Sequence, residues 1–208
     1  LLLREMGITK PLLVAGERTK NVFFARTGMR LPVFDAFHPN PDLQDCVAGA
    51  ALYQEKGCDG LISIGGGSAM DTAKGIKALL MTDIAHVRAN QLPSEGNVPH
   101  LAIPGTAGTG AETTAVAVLY ENGQKLSVDH PALLPDGVLL DGSLLDTLPE
   151  YHRKSCAMDA LAQGIESWWA KKATPGSRIH AERAIRGVLD NLTAYLQGDR
   201  KAQDEMLH

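Results

Sequence analysis

The chain has 208 residues, of which 44% are hydrophobic and 21% are charged, and its formal net charge is −4. This length and composition are sufficient for a packed core in one large domain or in two small ones. The negative charge and the lack of a basic run argue against a nucleic-acid-binding surface, and no apolar stretch is long enough for a transmembrane helix.

The first half of the chain alternates short apolar segments with amphipathic ones, a pattern typical of a parallel α/β sheet. The predicted strands cover residues 11–15, 31–34, 60–64, 100–103 and 138–140. Helices are predicted over residues 19–29, over 42–56 with Gly57 closing the helix, and from 68 to about 82. The first of these is short, because a crossover helix with its turns normally needs about a dozen residues.

The second half of the chain changes character near Leu148. Before it, residues 116–120 and 125–128 alternate in polarity around Asn122-Gly123, a strong β-hairpin signal. After it, strand signals stop and long helices are predicted over residues 151–170 and 175–196. We therefore predict an α/β, Rossmann-like parallel-sheet domain over residues 1–148, followed by the start of an all-helical domain over 149–208.

The three cysteines, Cys46, Cys58 and Cys156, are isolated and odd in number. They have neither the spacing of a disulfide framework nor that of a zinc site, which favours a reducing, cytoplasmic location. The chain begins with Leu1 within what resembles a helix end, and its last residues resemble the start of another helix. We therefore expect it to be a fragment of a longer protein.

A glycine triplet is the most informative local feature. An apolar run ends in Gly65, Gly66 and Gly67, and Ser68 then opens a helical segment. Ser68 is predicted as the N-cap of that helix, with Asp71 completing an arrangement like a capping box. Glycines allow a close backbone approach, and a helix N-terminus attracts anions, so the segment predicts a cradle for a pyrophosphate. The alternative is an ordinary turn.

Four segments, in this order, resemble the iron-containing (group III) alcohol dehydrogenase family. They are HPNP at 38–41, GGGSAMDTAK at 65–74, IPGTAGTGAE at 103–112 and MDALAQGIES at 158–167, and the segment at 125–141 also fits. The resemblance implies a two-domain enzyme of dehydroquinate-synthase-like architecture. Its α/β domain binds NAD or NADP, and its helical domain holds a divalent metal that polarises an alcohol or aldehyde oxygen during hydride transfer.

The resemblance also implies which residues bind the cofactor. Backbone N–H groups of the glycine triplet and Ser68 hold the pyrophosphate, and Asp71 belongs to the same motif. Thr106 and Thr109, in a loop with Gly108 and Gly110, line the nicotinamide side, unless this loop is only a turn between strands. Lys125 matches a lysine near the adenosine ribose, although by itself it would be interpreted as a solvated hairpin charge.

The turn after the first strand bears on the choice between NAD and NADP. Many family members have an aspartate there, which accepts a hydrogen bond from the ribose 2′-hydroxyl, whereas this chain has Gly16, followed by Glu17 and Arg18. Without that carboxylate the repulsion of a 2′-phosphate is lost, and Arg18 is able to pair with one. This favours NADP. The alternative is that Arg18 is a surface charge and Glu17 binds the ribose.

The metal site implied by the resemblance is incomplete. Asp159 matches an aspartate ligand, and Gln163, four residues later on the same helix face, stands where the family usually has a histidine. An amide oxygen binds Fe²⁺ or Zn²⁺ less well than imidazole does. The family's other two ligands are histidines that lie further along than His208.

The predicted function is a metal-dependent oxidoreductase that transfers a hydride between NAD(P)H and a small-molecule aldehyde or primary alcohol. Gln163 and the pair Trp168-Trp169 resemble the branch that reduces phosphonoacetaldehyde to 2-hydroxyethylphosphonate. A homodimer is expected, with no nucleic-acid or membrane partner. Two alternatives stay open: a relative similar to glycerol dehydrogenase or dehydroquinate synthase, and a nucleotide-binding remnant without catalysis.

Overall fold

The computed structural model describes residues 2–94, 96 and 98–208. The helices are α1 (Leu2–Glu5), α2 (Glu17–Thr27), α3 (Leu43–Lys56), α4 (Gly67–Met81), α5 (Ile84–Arg88), α6 (Glu150–Trp169), α7 (Pro175–Leu196) and α8 (Arg200–Leu207). The strands are β1 (Pro11–Ala15), β2 (Val33–Phe34), β3 (Gly60–Gly65), β4 (His100–Pro104), β5 (Val116–Glu121), β6 (Gln124–Asp129) and β7 (Gly137–Val138).

The chain divides into two compact units. The first contains Leu1–Ile103 and Ala111–Leu139, and the second contains Pro104–Gly110 and Leu140–His208. In the second unit a loop from the middle of the chain thus joins the C-terminal helices. The predicted domains, with bounds of 1–148 and 149–208, remain a prediction.

Five strands of the first unit form one sheet in the order β2-β1-β3-β4-β7. The described pairs β1–β2, β1–β3 and β4–β7 are all parallel, which confirms the predicted α/β class. Every residue of β1 and β3 is buried, as expected for strands covered on both faces. Strands β5 and β6 form a separate antiparallel hairpin, with Asn122 and Gly123 at positive φ in its turn.

Most predicted elements are found within one or two residues of their predicted bounds, and the differences have local causes. Strand β2 is only Val33–Phe34 rather than 31–34. Pro32 has no N–H to donate to a ladder, although its carbonyl still accepts a hydrogen bond from the backbone N–H of Leu13 at 2.9 Å. The first crossover helix, α2, has 11 residues, which is enough to connect β1 to β2.

Helix α4 is the most deeply buried helix of the first unit. Its side chains pack on α3 closely enough that a Cβ on Gly75 would collide with the Sγ atom of Cys46. Lys74 is completely buried, and its Nζ donates to the carbonyls of Ala111 and Val116 at 2.7 and 2.9 Å and to the Thr114 hydroxyl at 3.0 Å. Burial lowers the pKa of Lys74 to about 8. These contacts fix α4 against the segment that leads into β5.

The second unit is helical. A cluster around Ala157, Val188 and Tyr195 forms its core, and a Cβ on Gly164 of α6 would lie only 3.0 Å from Ile185 of α7. The small residue therefore permits these two helices to approach closely. In the part of the chain that the structure describes, no helix is both long and apolar enough to cross a membrane.

Thr19 connects the ends of two neighbouring strands. Its side chain is buried, and Oγ1 donates to the carbonyl of Gly16 at 3.1 Å and to that of Ile64 at 3.0 Å. The carbonyl of Gly16 directly follows β1, and that of Ile64 lies one residue before the end of β3. The hydroxyl therefore holds the first turn of α2 against the last residues of β3.

Replacement of Thr19 by valine keeps the shape of the side chain but removes its hydrogen bonds. Because the buried carbonyl of Ile64 and the part-buried carbonyl of Gly16 each lose a donor, we expect the free energy of unfolding to fall by about 1–3 kcal/mol. Urea denaturation followed by circular dichroism measures the change. Thr27→Val in the same helix is the control, since Thr27 is exposed and bonds only locally, to Phe23 and Met29. Equal stability of the two variants would contradict this role.

Candidate functional site

The pairing of β1 with β3 brings two strand ends together. The strands are parallel, and their register places Ala15 opposite Ile64. The turns that follow, at Gly16 and at Gly65–Gly67, therefore begin side by side at the carboxyl edge of the sheet. Each turn leads directly into a helix, α2 or α4. The carboxyl edge of a parallel sheet is where α/β proteins bind ligands.

The backbone of the glycine turn requires glycine. Gly65 has φ of 148°, a conformation that residues with a Cβ rarely adopt, and a Cβ there would lie 3.1 Å from the Cβ of Ala69. Gly66 is the N-cap of α4, and the helix begins at Gly67. The sequence prediction of a Ser68 N-cap with Asp71 in a capping box is therefore wrong. The helix begins earlier because the glycine backbone turns directly into its first turn.

The two helices at this site differ from most others in their caps. Asp42, Asp83, Thr174 and Asp199 cap α3, α5, α7 and α8 through side-chain hydrogen bonds. The N-caps of α2 and α4, Gly16 and Gly66, make no side-chain cap hydrogen bond. The first N–H groups of a helix have no partner within it, and the helix dipole places partial positive charge there. Two helix N-termini are therefore available to the same anion.

A cavity of about 290 Å³ lies at these N-termini. Its walls are the two turns and one aromatic side chain, and the lining residues are Gly16, Glu17, Arg18, Thr19, Phe37, Gly65, Gly66, Gly67, Ser68 and Ala69. Six predicted cofactor-binding residues thus lie around one cavity: Gly16, Arg18, Gly65, Gly66, Gly67 and Ser68. Sequence reasoning missed Thr19, Phe37 and Ala69, although Phe37 immediately precedes the HPNP segment.

The HPNP segment supports the cavity from one side. The backbone N–H of Asn40 donates to the Oγ of Ser68 at 3.3 Å. The backbone N–H of His38 donates to Asp45 of α3 at 3.0 Å, which anchors the residue next to Phe37. The Phe37 ring also stacks on the buried Phe34, with ring centroids 6.4 Å apart. These contacts hold one wall of the cavity in place.

The charged residues at the rim are arranged in a definite way. Arg18 is half-buried and lines the cavity, and burial lowers the pKa of its guanidinium. Glu17 also lines the cavity, but its carboxylate accepts from Lys20 Nζ at 2.6 Å and from Asn21 at 3.2 Å. Lys20 donates in addition to Asp35 at 2.6 Å. Arg18 therefore lines a cavity whose acidic lining residue, Glu17, is paired with a lysine.

Two other predicted cofactor residues lie further along the first unit and do not line the cavity. Asp71, in α4, is partly buried, which raises its pKa to about 6, while Lys74, the N–H of Val118 and Lys125 act in the opposite direction. Lys125 is exposed on β6. The hydrogen bond from the backbone N–H of Val118, in β5, to Asp71 places the hairpin beside α4.

The remaining predicted residues belong to the second unit. Thr106 and Thr109 are in the loop 104–110, which lies against α6 so closely that a Cβ on Gly108 would be 2.8 Å from the carbonyl oxygen of Cys156. The Nε2 of Gln163 donates to the carbonyl of Gly108 at 3.3 Å. Gly108 is thus explained by packing, and Gln163 helps to hold the loop against the helix.

Asp159 and Gln163 do not form a metal centre by themselves. Both are exposed on α6. Because the Nε2 of Gln163 donates a hydrogen bond to the carbonyl of Gly108, only its amide oxygen is able to bind a metal. Divalent metals in proteins take four or more ligands. Among the described residues, no group of three or more His, Cys, Asp and Glu side chains is placed to hold a metal ion. The residues present therefore fit only part of a metal site.

Comparison with known proteins agrees with this geometry. The family model for iron-containing alcohol dehydrogenase matches residues 2–142. The chain is 36% identical to the probable alcohol dehydrogenase EutG of Escherichia coli, over 81% of this chain and 41% of the relative. It is 34% identical to the 4-hydroxybutyrate dehydrogenase of Cupriavidus necator, over 93% of this chain and 58% of the relative.

Solved structures give the same result. Sulfoacetaldehyde reductase from Bifidobacterium kashiwanohense, in complex with NAD⁺, superimposes with a TM-score of 0.90 at 29% identity, over 99% of this chain and 58% of that one. The chain thus spans about half the length of the relatives it matches. The family model covers more than half of the chain, and the fold agrees throughout. The chain belongs to the iron-containing alcohol dehydrogenase family.

Proposed function

We propose that this chain is the dinucleotide-binding part of an oxidoreductase that transfers a hydride between NADP(H) and an aldehyde or primary alcohol. The observation that carries this proposal is the cavity at the N-termini of α2 and α4. Both helices begin without a side-chain cap, so a pyrophosphate accepts the hydrogen bonds that capping side chains accept elsewhere. Family membership and the dehydrogenases among the relatives support the same assignment.

Titration of the 208-residue chain with NADPH, followed by cofactor fluorescence, tests the proposal. In Gly67→Val the new side chain occupies the space of the pyrophosphate at the first position of α4. We expect the dissociation constant for NADPH to rise at least about 30-fold, which corresponds to the loss of charge-assisted hydrogen bonds worth about 2–3 kcal/mol.

Gly187→Val is the matched control, because Gly187 lies inside helix α7 and a Cβ there meets no atom within 4 Å. This variant should bind NADPH like the parent chain. A parent chain that binds neither NADPH nor NADH would refute the proposal, and so would a Gly67→Val variant that binds normally.

NADP rather than NAD is favoured by Arg18. The guanidinium is half-buried in the wall of the cavity, which argues against the alternative of a simple surface charge. Gly16 provides no carboxylate to accept the ribose 2′-hydroxyl, and Glu17 is paired with Lys20. A bidentate guanidinium is well suited to a phosphate. The solved relative with NAD⁺ bound makes NAD the competing cofactor.

Arg18→Gln separates these two cofactors. We expect its dissociation constant for NADPH to rise about ten-fold or more, because a charged hydrogen bond is worth about 1.5–3 kcal/mol, while the constant for NADH changes little. Arg26→Gln, on the same helix α2, is the control. Equal losses for both cofactors would show that Arg18 does not recognise the 2′-phosphate.

The chemical step is proposed for the whole protein, since this chain spans about half of its relatives. A bound divalent metal would polarise the substrate oxygen, and the nicotinamide would carry the hydride. We propose Asp159 and Gln163 as two oxygen ligands, in keeping with their shared helix face and the hydrogen bond that orients Gln163.

Asp159→Ala in the whole protein tests the metal proposal. We expect the variant to lose bound metal and most of its turnover while it binds NADPH as before, because Asp159 belongs to the other unit of the chain. Metal content is measured by atomic emission and binding by titration. Glu166→Ala, an exposed carboxylate on the same helix, should retain its metal. Unchanged metal content in Asp159→Ala would contradict the assignment.

The substrate is proposed only as a class. Gln163 and the Trp168-Trp169 pair favour phosphonoacetaldehyde, and a reductase of another anionic aldehyde, sulfoacetaldehyde, is among the similar structures. A panel of aldehydes that includes both compounds would identify the preferred one. Cofactor binding without turnover on any aldehyde, with any metal, would instead favour the nucleotide-binding remnant. The homodimer and the cytoplasmic location remain predictions.

A further inference from the structure

One ammonium group binds two carboxylates, of which one, Glu17, lines the cavity. Lys20, in the second turn of α2, donates to Glu17 and to Asp35, at 2.6 Å in each case. The Lys20 side chain is only 18% exposed, whereas those of Glu17 and Asp35 are 76% and 42% exposed. The lysine therefore occupies the interior of this trio, and the two acids lie on either side of it toward solvent.

The two carboxylates follow the carboxyl ends of the neighbouring parallel strands β1 and β2. Glu17 lines the cavity directly after β1. Asp35 directly follows β2, the strand paired with β1, and it stands about 20 residues after the Gly16 turn. In dinucleotide-binding folds, an acidic residue at about this distance along the chain accepts a hydrogen bond from the ribose 2′-hydroxyl of NAD. Either acid would also repel a 2′-phosphate.

Both acids are already occupied by neighbouring side chains. One oxygen of Glu17 accepts from Lys20 and the other from Asn21, so the carboxylate is directed along α2. These hydrogen bonds lower the pKa of Glu17, and the hydrogen bonds to Asp35 and Glu17 raise the pKa of Lys20. The single ammonium charge of Lys20 thus partly offsets the two carboxylates that it binds.

We propose that Lys20 is a specificity-determining residue that favours NADP over NAD by holding Glu17 and Asp35 away from the adenosine ribose. It acts through these two acids as a positioning residue and does not itself contact the cofactor. The inference rests on the proposed function, since it assumes that the 2′-phosphate binds beside Arg18. Without Lys20, both carboxylates would be free to accept the 2′-hydroxyl of NAD and to repel the phosphate of NADP.

The test is the ratio of the dissociation constants for NADPH and NADH, measured by titration of the 208-residue chain at low salt. In Lys20→Gln we expect NADPH binding to weaken about 2- to 5-fold, the effect of one exposed charge pair, while NADH binding stays equal or improves. Lys20→Arg should keep the original ratio. The effect should shrink at high salt, because exposed charges are screened.

A second set of variants separates positioning from general damage to α2. Removal of both acids in the Lys20→Gln background, with Glu17→Gln and Asp35→Asn, should restore the preference for NADPH. A lysine needed only for folding would not be rescued in this way. Lys56→Gln is the matched control, because Lys56 forms an exposed pair with Glu55 on α3 and does not line the cavity.

Each result has a defined meaning. A parent chain that binds NADPH no tighter than NADH overturns the proposed cofactor preference and this inference together. A parent chain that prefers NADPH, with the same ratio in Lys20→Gln, overturns the inference alone. A lower ratio that removal of the acids does not restore means that Lys20 acts through the fold of α2 or by direct contact with the phosphate, and either result overturns the inference. A lower ratio that is restored supports it.

Discussion

The parallel pairing of β1 with β3 is the constraint on which the candidate site depends. Because Ala15 lies opposite Ile64, the chain leaves both strands at the same level of the sheet edge. Two helices then begin side by side, and the Thr19 hydroxyl fixes one turn against the other strand. A shift of this register would separate the two N-termini and divide one anion site into two weak ones.

The electrostatics of the site depend on two helix N-termini that have no capping side chain and on the charged side chains near them. Gly16 and Gly66 provide no capping side chain, so the N-terminal dipoles of α2 and α4 are available to a ligand. The acidic side chains nearby do not fill this role, because Glu17 and Asp35 are held by Lys20. The half-buried Arg18 adds a positive side chain to the cavity wall, although the whole chain carries a net charge of −4.

Sequence patterns predicted the elements well because the signals were local. Strand β1 has the predicted bounds because its apolar run is short and continuous, and helix α7 begins at Pro175 as predicted. The Asn122-Gly123 turn likewise identified the hairpin from two adjacent residues. Ser68 was a reasonable N-cap by residue type, yet the backbone of Gly66 starts the helix earlier. Phe37 and the Lys20–Asp35 pair depend on contacts between distant segments, which periodicity does not encode. The position of Gln163 against Gly108 likewise required the folded loop.

The central claim is that the turns at Gly16 and at Gly65–Ser68 together bind the phosphates of a dinucleotide. The most direct measurement is an NMR titration of the ¹⁵N-labelled chain with NADP⁺, with the backbone amides assigned. The account predicts that the largest chemical-shift changes occur at residues 16–18 and 65–68, at the start of α2 and α4. Saturable binding with its largest changes elsewhere, or no change at these amides, would contradict it.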